Sequence, residues 1–417
     1  MAVPMVLLLL QVTAAVSVTP PTIVKQPPDK VFFHVPSSLD DVRRPVRLEC
    51  EAEGDPEPEY KWIKDNEEFD YASQNGRISR QPGRGTLVFT APVDGDEGVY
   101  QCHASNELGT SLSNVVQLRK AHLANFPEED RKDVYAKEGE PLSLHCDPPS
   151  GYPHPNVTWL VQTHDGATRR INSSHITADP VGGLHFSRAE LGDAIDGGVY
   201  ACSVISAFLN EHRIGNKIRL HVAPMLNAET LHVAPVMQYL SPENIVALQG
   251  TELELYCIYG GEPLPLPTWS RGRIHKMSPR FSIGNNDKTL VIKPVELEDD
   301  DTYECRVDNG VGDAQRHIMR VKVEAAPSWR NAPNNTDAAA GEMVMLKCSA
   351  DGIPPPNVEW FVNGVPIEKA DPNTRWRVLR DMLIFEKVEK SDIAVYQCNA
   401  SNRHGFVFRD FYLNVRG

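Results

Sequence analysis

One block of punctuation recurs four times along this chain: Gly, Pro two residues on, Pro two further on, Trp four after that, and Tyr-x-Cys some forty residues later. It reads Gly54, Pro56, Pro58, Trp62; Gly151, Pro153, Pro155, Trp159; Gly261, Pro263, Pro265, Trp269; and Gly352, Pro354, Pro356, Trp360. The closing pairs are Tyr100/Cys102, Tyr200/Cys202, Tyr303/Cys305 and Tyr396/Cys398. Twelve or thirteen residues before each Trp stands a further cysteine: Cys50, Cys146, Cys257 and Cys348. One structural unit has been copied four times, and a repeat of this kind settles architecture ahead of any local reading.

The order Cys, Trp, Tyr-x-Cys resembles the signature of an immunoglobulin sandwich. There one Cys from each sheet forms a bridge, the Trp packs on it, and the Tyr makes a corner two residues before the second Cys. The fold class is therefore all-β, with four tandem immunoglobulin-like (I-set-type) sandwiches. All eight cysteines are used, one pair per unit, closing loops of 52, 56, 48 and 50 residues. On the chain-entropy model each loop is worth roughly 4 kcal/mol. Free thiols or a zinc site fit poorly, since no C-x-x-C and no Cys/His cluster at ligand spacing occurs. A formal charge of −14 excludes a nucleic-acid backbone as partner, which needs a clustered basic face.

Val6 to Val12 form a short apolar core followed by Ala14, Ala15 and Ser17, which reads as an export signal with a cleavage site at Ala15-Val16-Ser17. The stretch is too short for a membrane anchor, and no other segment approaches the ~18 residues a span requires. The mature chain is expected to be extracellular, secreted as given or the ectodomain of something longer. The repeat sets the boundaries: Val18–Lys120, Ala121–Ala223, Val236–Ala325 and Ala326–Gly417, each close to the ~100 residues of one sandwich. The first–second and third–fourth joints are short. Between the second and third units the stretch Pro224–Pro235 belongs to neither, and its reach of about 40 Å lets the second pair of domains fold back on the first.

Each unit has an apolar strand before an acidic turn: Leu87-Val88-Phe89, Leu184-His185-Phe186, Leu290-Val291-Ile292 and Leu383-Ile384-Phe385. An Asp follows, six residues before the second Cys: Asp96, Asp196, Asp299 and Asp392. Pairing with Arg77, Arg280 and Arg375 reads as a scaffold corner rather than a ligand clamp, because it recurs at one scaffold position. Three units carry Asn-x-x-Gly after that Cys, at Asn106/Gly109, Asn309/Gly312 and Asn402/Gly405, read as left-handed positions of a tight hairpin. The second unit departs. Its comparable glycine is Gly215, implying some six extra residues around Ala207-Phe208-Leu209-Asn210. An exposed Phe208-Leu209 pair beside Asn210 suggests an adhesive contact, with packing against a neighbouring domain as the other reading.

The stretches Glu57–Lys64, Arg80–Val88, Ala104-Ser105-Asn106-Glu107, Ile214–Lys217 and Cys257–Gly261 resemble the neuroglian-type neural cell-adhesion family, and the likeness spans essentially the whole mature chain. The resemblance implies a horseshoe, first domain against fourth and second against third, that binds copies of itself in trans on opposing cells. Other immunoglobulin-superfamily adhesion proteins are implied as further partners, and axon guidance as the setting. The alternative is a secreted haemolin-like insect immune protein that binds haemocytes and bacterial surface material.

Nothing in the sequence asks for a cofactor, and an enzyme has little support. No nucleophile elbow, metal motif or phosphate loop occurs, and Gly83-Arg84-Gly85 and Arg271-Gly272-Arg273 complete no dinucleotide fingerprint. Four sequons suit an exported chain: Asn156, Asn172, Asn334 and Asn399. Strand alternation turns Asn399 outward, because it follows the core residue Cys398. At least two sequons are expected to carry glycans, and a face that carries one cannot be adhesive.

Overall fold

The computed structural model describes residues 18–36, 45–225, 231–272, 278–370 and 376–417. The export-signal segment, the middle of the Pro224–Pro235 linker and the expected corner residue Arg375 lie outside them. Within these limits every element is a strand or a single 3-10 turn, arranged as four sandwiches.

Each sandwich uses its repeat in the same way. In the first, Val46–Leu48, Leu87–Phe89 and Ile78–Arg80 form one sheet; Lys30–Phe33, Val116–Lys120, Gly98–Asn106 and Glu59–Lys64 form the other. Disulfides Cys50–Cys102, Cys146–Cys202, Cys257–Cys305 and Cys348–Cys398 join the sheets. Trp62, Trp159 and Trp360 are buried on three of these bridges, whereas Trp269 is only half-buried. The Trp62 indole N–H donates to the Gly85 carbonyl at 2.7 Å and that of Trp269 to Asp287 at 2.8 Å. The final strand of every domain also pairs in parallel with an early one, as in Lys132–Lys137 with Glu211–Ala223.

The acidic corner is one recurring device. The phenols of Tyr100, Tyr200, Tyr303 and Tyr396 donate to the backbone carbonyls of Asp96, Asp193, Asp299 and Asp392. Each of those carboxylates accepts from a backbone amide three residues upstream. A buried carboxylate needs such donors, because desolvating it unpaired costs several kcal/mol. Arg77 and Arg280 supply the positive partner at 2.5 Å. In the second domain the expectation is corrected: Asp196 is exposed, and Asp193 takes the corner with His175 Nε2 at 3.0 Å. Three more residues separate Asp193 from Tyr200 than separate the other pairs, so counting back from the cysteine lands on the wrong acid.

The hairpin asparagines are corrected too. None of Asn106, Asn309 and Asn402 has a positive φ. Each uses its side-chain amide to donate to two carbonyls, one on the domain's first strand and one on the cis proline of its Gly-x-Pro: Thr19 and Pro56, Val233 and Pro263, Ala325 and Pro354. They tie three loops together at one end of the sandwich.

The joints differ in kind. Between the third and fourth domains one strand, Gln315–Asn331, runs unbroken for 17 residues, pairing in the third domain with Asp301–Asp308 and in the fourth with Ser349–Ile353. At its middle Glu324 is fully buried, and its carboxylate accepts from Arg403 and His404 on the fourth domain's hairpin. Between the first and second domains Phe32, Tyr152 and Phe208 meet edge to face, with centroids 5.5 and 5.6 Å apart, and the Arg119 guanidinium sits 4.9 Å from the Tyr152 ring.

The Arg403 and His404 hydrogen bonds hold the Glu324 carboxyl down at about 2, against an ordinary value of 4.5. A depressed carboxyl stabilises above its free value and loses that contribution as acid protonates it. The third–fourth joint is therefore expected to be tight at pH 5 and to loosen between pH 4.5 and 2. Hydrogen exchange across Ala325–Arg330, corrected for intrinsic rates, checks this. Equal protection at pH 3 and pH 6 would show that the clamp does not hold the joint.

Candidate functional site: two docks between the arms

The chain doubles back, so that the first domain rests on the fourth and the second on the third. Both docks are keyed by a glutamine amide that reads the backbone of the opposing domain. In the first–fourth dock Gln397, 1% exposed, donates from Nε2 to the Leu112 carbonyl at 3.0 Å and accepts at Oε1 from the Leu112 amide at 2.9 Å. Beside it Asn363 Oδ1 accepts from the Val395 and Thr110 amides at 3.1 and 3.4 Å. Gly109 must be small here, since a Cβ would collide with Asn363 Oδ1 and Val395.

The Ser111 hydroxyl lies 2.6 Å from the Pro21 carbonyl and 3.2 Å from Asp410 Oδ2. Burial pushes the Asp410 carboxyl up. A group that takes up a proton more readily when docked favours docking in mild acid and loses that advantage as pH rises. Across the strand pair from Leu112, burial pushes the His103 imidazole down to about 4.

In the second–third dock Gln238 Nε2 donates to the Leu142 and Phe186 carbonyls at 3.0 and 2.9 Å, and the Gly261 amide donates to Ser187. Arg188 bridges to Glu262 at 2.9 Å. Lys288, fully buried, crosses from the third domain and donates to the Ser174 carbonyl and Thr177 Oγ1 at 3.1 and 3.0 Å. No carboxylate neutralises it in these contacts, and burial pushes its ammonium down to about 8.

Beneath Gln238 lies a chain of hydrogen bonds that the sequence reading did not find. Ser143 Oγ is 2.8 Å from His185 Nδ1, and His185 Nε2 is 2.7 Å from Asp179 Oδ2. Ser, His and Asp in that order resemble a hydrolytic triad. Here Tyr239 of the third domain stacks on the imidazole at 6.4 Å and His185 is 1% exposed, so no substrate can reach it while the dock is closed.

The expected adhesive residues fall elsewhere. Ser206 pairs with Glu211, so the second domain's turn is Ala207–Asn210, four residues against two in the first and fourth domains. The six-residue insertion is thus corrected to two. Gly215 lies within the following strand, and the longest loop at this place is the third domain's, between Asp308 and Gln315. Leu209 is 4% exposed rather than on the surface, and Phe208, at 44%, rests its edge on Phe32. Only Asn210, at a φ of 53°, is a free tip. Among the sequons Asn156, Asn172 and Asn334 are exposed, and Asn399 is half-buried. Among the described residues no His, Cys, Asp and Glu cluster could hold a metal ion, and no helix is long and apolar enough to cross a membrane.

Known proteins carry the same plan. An immunoglobulin-domain model matches residues 20–106 and 326–402, and an immunoglobulin I-set model matches residues 237–323. The chain is 44% identical to Neuroglian of Drosophila melanogaster over 401 residues, covering 95% of this chain and 31% of that protein. It is 33% identical to the Neuronal cell adhesion molecule of Gallus gallus, covering 95% of this chain and 30% of that one. It thus spans about a third of the length of the curated relatives it matches. The solved structure of hemolin superimposes with a TM-score of 0.80 at 29% identity, over 95% of this chain and 100% of that chain. Hemolin is described as an insect immune protein whose domain arrangement has implications for homophilic adhesion.

Two outcomes test the docks. Gln397→Ala strands the Leu112 amide and carbonyl, at about 1–3 kcal/mol for each buried group left unpaired. Energy transfer between dyes on the first and fourth domains should fall, and unchanged transfer would show that Gln397 does not key the dock. For Lys288, the closed form binds its proton less tightly than the open form, so closure strengthens as pH rises from about 8 towards 10.5. Burial raises the Tyr239 and Tyr256 phenols, which keeps them out of this window. Between pH 8 and 9.5 the closed-to-open ratio of the second–third dock should rise roughly tenfold, and Lys288→Met should flatten that response.

Proposed function

Given that this chain belongs to the immunoglobulin family, we propose that it is an extracellular homophilic adhesion unit whose folded-back four domains bind further copies of themselves in trans. The observation that carries this reading is that each dock joins two different surfaces of one polypeptide across a linker. Any surface pair that closes within a chain can close between two chains, by exchange of arms. The four disulfides suit an oxidising, extracellular compartment. The 44% identity to Neuroglian across all four domains supports adhesion as the biological use, in a neural setting, with other immunoglobulin-superfamily adhesion proteins as further partners.

On this reading the chain is not an enzyme, and the Ser143, His185 and Asp179 array is a structural strut of the second–third dock. Of the residues Phe208, Leu209 and Asn210, only Asn210 and the uncovered part of Phe208 are at the surface to contribute to a contact. The match to the whole chain of hemolin, an insect immune protein, leaves a second reading, a secreted immune role in which the chain binds haemocytes and bacterial surface material.

Beads coated with the protein should clump with one another, and free chain should compete with the clumping in a dose-dependent way. Beads that stay dispersed yet bind purified lipopolysaccharide would replace self-adhesion with the immune reading.

A further inference from the structure

We propose that Asn399 is a glycosylation site whose occupation keeps the first domain off the fourth, so that one modification selects the open arm over the closed one. The inference rests on the geometry of the dock and holds whether or not the chain binds copies of itself.

Asn399-Ala400-Ser401 is a sequon inside the strand Ala394–Asn402. Register places Asn399 between Glu359 on one neighbour and Phe408 on the other. Side chains alternate across a strand, so Asn399 shares its face with Gln397, whose own row holds Phe361 and Asp410. That is the docking face. The first domain grips it at Gln397 through Leu112 and at Asp410 through Ser111, and on the hairpin side of Asn399 its Asp29 approaches Gly405. Asn399 thus lies on the face that the first domain grips, two residues along the strand from Gln397.

A second observation concerns the side chain itself. Asn399 Oδ1 is covered and has no hydrogen-bond partner, and Phe408, its neighbour across the strand pair, packs on Phe361 with ring centroids 5.7 Å apart. An Asn-linked glycan is bulky and strongly hydrated. Facing sheets pack only about 10 Å apart, which leaves no room for one between docked domains.

The transfer balances with one donor class. The Asn399 amide nitrogen forms a bond to the anomeric carbon of a polyprenyl-diphosphate-linked oligosaccharide and gives up a proton, and polyprenyl diphosphate leaves. Transfer to the emerging chain precedes docking, so the closed form is no obstacle. Asn156, Asn172 and Asn334 provide the contrast, since all three are exposed.

The test uses the full chain secreted from insect cells. Glycopeptide mass spectrometry reads occupancy at Asn399, and small-angle scattering compares the occupied protein with Ser401→Ala, which removes the sequon but keeps the asparagine, and with Asn399→Gln. Occupied protein should be longer by about one sandwich, roughly 40 Å from strands of some ten residues, and Ser401→Ala should be compact. An unoccupied Asn399, or occupied protein as compact as Ser401→Ala, overturns the proposal. Should Asn399→Gln misfold, the comparison with Ser401→Ala decides alone.

Discussion

Two glutamine amides, one buried and one partly buried, hold the folded-back shape. Gln397 and Gln238 each place an amide against main-chain groups of the opposing domain, where an unpaired group would be costly to leave dry. Main-chain groups are present whatever the side chain, so such a key specifies relative position more than it specifies sequence. The rest of each dock, from the Arg188–Glu262 bridge to the Asn363 cradle, follows once those amides have set the register. The two keys are not equally finished. Both polar ends of Gln397 are paired, whereas Gln238 Oε1 is buried without a partner and the neighbouring Lys288 keeps its ammonium dry. The key of the first–fourth dock is fully paired, and that of the second–third dock carries unsatisfied polarity.

What sequence could show was set by covalent and local constraints. Cys, Trp and Tyr fall at offsets that one scaffold dictates, so the sandwiches could be read from spacing, whereas Val233–Pro235, read as linker, belong to the third domain's first strand. The errors came where spacing slipped. Three extra residues moved the second corner from Asp196 to Asp193, and a displaced glycine made a turn two residues longer look like a six-residue insertion. Leu209 looked exposed because nothing local reveals that a residue at the tip of this turn is buried. Asn106, Asn309 and Asn402 were found as positions but misread as turn residues, since their amides act on loops distant in sequence.

The docks themselves left almost no trace. Gln397 stands in Tyr-Gln-Cys, as does Gln101 in the first domain, and only the apposition of two finished sandwiches gives one of the two its role. The same holds for Lys288, which in isolation is a lysine in a surface turn, and for Ser143, His185 and Asp179, which lie on three separate strands or turns. A titratable group in an alternating strand reads as solvated until the surface opposite is known.

The unbroken strand Gln315–Asn331 has a mechanical consequence. A pull along the third and fourth domains enters a single backbone that is hydrogen-bonded over its third-domain half to Asp301–Asp308 and, in parallel, to Asn244–Leu248, and over its fourth-domain half to Ser349–Ile353. Load aligned with such a ladder shears many hydrogen bonds at once instead of peeling them one at a time. The third–fourth joint therefore transmits tension stiffly, as one continuous strut through both domains.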